Sequence, residues 1–193
     1  MKRFVNNAIS IAYTLIKFSL IKIFHWNTFK YHLFERFSPN SDIYFIGNGK
    51  IILGKAIRAH SLVRLRVTNK GILTIGDNVS FNYGCMVTAQ NFIHIGKGVE
   101  FGPNVLIYDH DHDFRTKGGL KANKYKSGSV IIGENTWIGA NSIILKGTKI
   151  GVNCVIGAGS IISGEYPDNT LIYQKRETTT KEIIIDQKLN SYL

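Results

Sequence analysis

The sequence predicts a mainly β fold built as a stack of parallel coils, and three observations carry that prediction. An aliphatic residue recurs every six positions at Ile132, Ile138, Ile144, Ile150, Ile156 and Ile162. Glycine follows it at Gly133, Gly139, Gly151 and Gly157. A small residue stands two positions before it at Thr136, Ser142, Thr148, Cys154 and Ser160. A period of six is neither the 3.6 of a helix nor the simple alternation of a flat strand. It is the mark of a parallel β-helix, in which three hexads complete a coil of about eighteen residues. About five such coils are expected, stacked at about 4.8 Å, the strand spacing.

The elements follow in order. Residues 3 to 25 place Arg3, Asn7, Ser10, Thr14, Lys17 and His25 on one stripe at helical spacing, the rest of the turn being apolar and aromatic. No proline or glycine interrupts them, so an amphipathic helix is expected within a segment 1–38. The asparagine, lysine and serine interruptions and the lack of a small-residue cleavage site argue against a signal peptide. Lys17 and Lys22 argue against a membrane span. So wide an apolar face needs a cover, either the protein itself or a membrane surface.

A short strand is expected at Ile43-Tyr44-Phe45-Ile46, between turn signals. The hexads start imperfectly at Leu53, Ala59 and Leu65, recover at Ile75, Phe81 and Val87, slip by two residues, and restart at Ile95, Phe101 and Ile107. Glycine, asparagine and aspartate should occupy the corners, where positive φ is needed. Cys85 and Cys154 fall on the small inward position and read as core packing. The repeat thus defines a domain 39–170. It fails for long only between Ile107 and Ile132, an inserted loop 109–131, and a long loop in a regular array is usually functional. A charged tail, 171–193, follows, with an expected strand at Glu182 to Ile185.

The 193 residues carry 24 basic and 13 acidic side chains, a net charge of +11. Such a balance points to anionic partners: cofactor phosphates, an acidic glycan or an anionic membrane. The basic residues are scattered and no recognition helix or zinc finger is present, which argues against a nucleic-acid function. The loop segment Asp109-His110-Asp111-His112-Asp113 holds two histidines, whose ordinary pKa suits them to accept a proton near neutrality. In an extended segment His110 and His112 project to the same side. Asp109, Asp111 and Asp113 are all candidates to orient an imidazole.

With IGDNVSFNYGC, GPNVLIYDHDH, WIGANSIILKGTKIG and VIGAGSII on the page, the chain resembles the hexapeptide-repeat acyltransferases over about residues 53 to 170. Within them it looks most like the sugar O-acetyltransferases of the maltose and galactoside type and capsule-modifying enzymes. The resemblance implies a left-handed parallel β-helix assembled as a homotrimer, with acetyl-CoA as cosubstrate in the groove between subunits and no metal. It implies transfer of acetyl to a hydroxyl of a surface-polysaccharide or lipopolysaccharide sugar, by direct attack on the thioester. The family's catalytic histidine falls on His112, with His110 as the second candidate. Asn82 aligns with the asparagine that holds the acceptor, and Gln90 stands where the galactoside enzymes carry an acceptor-binding carboxylate. Trp137 is expected either at the acetyl group or the acceptor or in a structural role at a subunit interface, and the N–H of Ala140 at the thioester oxyanion. Gly157, Ala158 and Gly159 would let pantetheine pass close to the backbone, and Lys146, Lys149, Lys175 and Arg176 are candidates for the CoA phosphates. The chain departs from the family at Gly164, where a lysine is usual, and at Leu171 to Arg176, where a Gly-Asn-Pro-Ala-Lys motif is usual.

Three other readings stay beside this one: N-acetylation of an amino sugar nucleotide, a zinc hydratase of the γ-carbonic-anhydrase type, and a non-catalytic trimeric scaffold. For the second, His94 and His112 would have to stack on successive coils, and no third ligand stands at a matching register. The resemblance also implies a cytoplasmic protein, with residues 3–25 offering contact with the inner face of a bacterial membrane.

Overall fold

The computed structural model describes residues 2–182. The expected strand at Glu182 to Ile185 and the end of the charged tail therefore lie outside the described residues, Glu182 excepted.

The coil is a left-handed parallel β-helix with three flat faces. Face one stacks seven strands from Phe29–Lys30 through Lys50–Leu53, Ile72–Ile75, Phe92–Ile95, Val130–Ile132 and Lys149–Ile150 to Glu165–Tyr166. Face two stacks seven from Arg36–Phe37 to Leu171–Ile172, and face three stacks six from Asp42–Gly47 to Ile161–Ile162. The stack is longer than the repeat foretells because its first coils are not made of hexads. The strands Asp42–Gly47 and Arg64–Asn69 are six residues long, against two for Ile143–Ile144. At the other end Leu171–Ile172 still pairs with Val155–Ile156, so coil geometry runs past residue 170.

Each hexad aliphatic residue is buried in the prism, and Thr136, Ser142, Thr148, Cys154 and Ser160 are buried beside it. Their polar groups reach backbone carbonyls within the coil, as Thr148 Oγ1 does at Leu145 O, 2.6 Å away, so none is left without a partner. The glycine after the aliphatic residue is required by stacking: a Cβ on Gly96 would lie 2.6 Å from the backbone nitrogen of Glu134 in the next coil. Asparagines at positive φ take the corners, and their amides form a ladder from Asn135 to Asn153 to Asn169. Cys85 and Cys154 are buried free thiols, and burial pushes that of Cys85 up to about 11.

The helix α1, Lys2–Phe24, sits on the mouth of the prism with its polar stripe inward. Ser10 Oγ donates to Phe37 O at 2.8 Å, Thr14 Oγ1 accepts from Phe37 N–H at 2.9 Å, and Lys17 donates to Ser41 O. An end strand presents backbone groups with no further coil to pair them, and a polar helix face supplies the partners. Phe18 passes between these contacts and plugs the core edge-on against Phe29, Tyr31 and Phe37. The outward face is left apolar. From Ala8 to Phe24 every exposed residue is uncharged, Ile9, Tyr13, Ile16, Leu20, Ile23 and Phe24 among them. Asn7–Phe24 is long and apolar enough to cross a bilayer by length and composition. Its bonds to the first coil hold it along the protein instead.

Candidate active site

The two-residue slip after Val87 falls at Gln90 and Asn91, between the strands Met86–Ala89 and Phe92–Ile95. There the coil has backbone N–H groups without strand partners. Asp109, wholly buried, supplies them: its carboxylate accepts from Gln90 N–H at 2.8 Å and from Asn91 N–H at 2.7 Å. Directly after it the chain leaves the coil as an antiparallel hairpin, His110–His112 against Tyr125–Ser127, closed by Gly128 N–H on Asp109 O.

Of the three candidate aspartates only Asp109 bonds to an imidazole. Its Oδ1 lies 2.8 Å from His110 Nδ1, and His110 is mostly shielded. An ionised carboxylate only accepts, so Nδ1 donates to it and Nε2 keeps a lone pair. Asp111 pairs instead with Lys146 at 2.7 Å, and Asp113 with Lys126 at 3.3 Å. His112 is exposed and leans on Tyr125, ring centroids 4.5 Å apart, while His110 meets the same tyrosine edge-on at 5.5 Å. Both histidines thus gather at one tyrosine. The sequence reading did not single out Tyr125; its available signal was the Gly118-Gly119 pair, a hairpin turn inside the gap.

The remaining predicted residues divide into three groups. Gln90, whose N–H bonds to Asp109, has a buried Oε1 with no partner among the described residues. Asn82 Oδ1 accepts from Tyr83 N–H, the bond of a turn residue, and its side chain is exposed. On face two Trp137 is exposed and points outward, stacked in register over Glu100. The N–H of Ala140 donates to no backbone carbonyl among the described residues, a state shared by the corner residues Lys97 and Glu134. Arg176 and Lys175 are both exposed, but Arg176 donates to Gly159 O at the Gly157-Ala158-Gly159 corner. Lys146 belongs to the hairpin through Asp111, not to this corner.

The zinc arrangement has no counterpart here. Thr74 and Ile131 flank His94 in register on face one, and Thr74 Oγ1 lies 2.8 Å from its Nδ1, while His112 stands in the hairpin. Among the described residues no three His, Cys, Asp or Glu side chains converge as a metal site.

The regular left-handed coil is the fold that the resemblance to the hexapeptide-repeat acyltransferases implies. The model of the hexapeptide repeat of succinyl-transferase matches residues 129–163. WbbJ of Escherichia coli, named for lipopolysaccharide biosynthesis O-acetyl transfer, is 29% identical over 137 residues, which cover 67% of this chain and 70% of that one. A galactoside O-acetyltransferase of Lactococcus lactis is 39% identical over 102 residues, 51% of this chain and 47% of its own length. The chain thus spans about half the length of such galactoside relatives. Among solved structures, AntD, an N-acyltransferase from Bacillus cereus in complex with dTDP and 3-hydroxybutyryl-CoA, superposes with a TM-score of 0.65 at 21% identity. That match covers 81% of this chain and 82% of that one, and it speaks to the fold. The chain carries the hexapeptide repeat over residues 129–163 and is similar to these sugar and lipopolysaccharide O-acetyltransferases.

Proposed function

We propose that this protein transfers acetyl from acetyl-CoA to a hydroxyl of a cell-surface polysaccharide or lipopolysaccharide sugar. The observation that carries the reading is the buried Asp109 carboxylate on His110 Nδ1. It fixes the tautomer in which Nε2 takes the hydroxyl proton as oxygen attacks the thioester carbon; the sulfur leaves as CoA thiolate and receives the proton back. His112, two residues on along the same strand, is the second candidate for this role. The Gly157-Ala158-Gly159 corner with Arg176 would hold the cosubstrate, and a homotrimer would close the groove against a second copy. O-acetylation is favoured over N-acetylation by the sugar O-acetyltransferases among the relatives; AntD, similar in fold, is an N-acyltransferase. Product NMR after turnover on cell-envelope glycans decides: an ester supports the proposal, and an amide replaces it.

We also propose that the outward face of α1 rests on an anionic bilayer at the inner side of the bacterial membrane. An uncharged face on a chain of net charge +11 has the pattern of an interfacial helix. Leu20→Glu is expected to lower sedimentation with phosphatidylglycerol vesicles by about tenfold or more, from the lost burial of one leucine. Unchanged sedimentation removes this contact.

A further inference from the structure

A second concave surface lies between α1 and the first coils. It encloses about 760 Å³ and is walled by Asn7 and Ser10 of α1 and by Arg36, Arg58, His60 and Ser80 of the coil, with no carboxylate in its lining among the described residues. Arg36 and Arg58 are register partners on adjacent parallel strands of face two. Like charges placed directly opposite repel, and here the acidic relief is slight. Arg58 reaches Glu100 at 3.7 Å, two coils away, and Arg36 has no ion pair among the described residues. Two forked guanidiniums facing one space, with hydroxyl and amide donors around them, match the geometry of a phosphate.

The register chain gives the cavity its place. Arg36, Arg58, Ser80, Glu100 and Trp137 follow one another up face two, one per coil. Three coil spacings separate Arg58 from Trp137, about 14 Å at the usual strand separation. The cavity therefore stands apart from Trp137. We propose that the Arg36–Arg58 cavity binds a phosphate group, carried either on a lipid headgroup or on a soluble sugar phosphate.

Inorganic pyrophosphate is the probe, added to the full chain at matched ionic strength with chloride as the control. The expected result is a rise of about 2–4 °C in the unfolding midpoint at saturation, absent in the Arg36→Gln/Arg58→Gln double variant. No rise in the unaltered protein, or an equal rise in the variant, overturns the proposal. Should the double variant unfold early, Arg36→Lys, which keeps the charge but removes the fork, is expected to bind pyrophosphate about tenfold more weakly; equal affinity there also overturns it. Vesicles of phosphatidylcholine and phosphatidylglycerol distinguish the source once the pyrophosphate response is lost. Sedimentation lost with it supports a lipid headgroup as the phosphate, and sedimentation retained supports a soluble sugar phosphate. The readout needs no turnover, so its failure leaves the His110 chemistry standing, and failure of that chemistry leaves the phosphate response standing.

Discussion

The coils from Ile132 to Ile162 and the interruptions of the repeat bury different polar groups. The regular coils bury hydroxyls and a thiol: Thr136, Ser142, Thr148, Cys154 and Ser160. The interruptions bury carboxylates: Asp109 where the period slips, and Glu35 in the first coil, whose Oε2 accepts from Ile57 N–H at 2.6 Å. In the regular stack the N–H groups of the strands meet the next coil, and a short hydroxyl completes what remains. Where coils change length, an N–H loses its partner, and only a longer, stronger acceptor reaches it. A break in the repeat therefore puts a charge inside. Asp109 is paired with His110, where the proposed site lies; Glu35 has no cation partner among the described residues, and the break there is a weak point.

The largest effect expected from this contrast is on turnover. His110→Ala should lower acetyl transfer by about 10²–10⁴-fold, the usual worth of a positioned base, while CoA binding persists. If His112→Ala shows that loss and His110→Ala does not, the buried carboxylate is structural on both sides of the comparison. A perturbation of the regular wall should behave in the opposite way. Ile144→Ala removes a fully buried side chain and is expected to cost about 2–5 kcal/mol of stability in denaturant unfolding, with little change in turnover by the protein that remains folded. A large loss of turnover below the unfolding midpoint would show that the coils are more than a frame.

The smallest effect concerns the unpaired carboxylate. Burial raises Glu35 from 4.5 to about 7, against the opposing bond from Ile57 N–H, and its Oε1 has no partner. The folded state then holds this proton more tightly than the unfolded chain. Its contribution is complete below pH 4.5 and is lost as pH rises towards 7, a fall of about 2–3 kcal/mol. Glu35→Gln should flatten that part of the stability profile. A slope that survives the substitution assigns the pH dependence elsewhere.

The helix shows how a correct pattern misleads. Ser10, Thr14 and Lys17 form the polar stripe that the spacing predicts, yet they face the protein. Periodicity tells which residues share a face; it does not tell what lies opposite. Opposite this one is the open end of a sheet, which is polar, and so the amphipathic rule is inverted. At the other end Gln174 does a similar service, its amide bonding both N–H and C=O of Ile161 in place of a further strand. Nothing in the residues Leu171 to Arg176 announces that role.

The sequence by itself determined the coil, its glycine and asparagine corners, its inward hydroxyls and the position of its break, because each follows from neighbours six residues apart. It also brought His110, His112 and three aspartates to one loop. Only the tertiary structure decided that Asp109 is the one buried against an imidazole, that Tyr125 returns to the histidines, that Lys146 belongs to Asp111, and that two arginines share a cavity with α1. These contacts join segments of unequal spacing, and pairing across a change of coil length is set by which backbone groups are left unpaired, a property of the assembled stack and of no local stretch of chain.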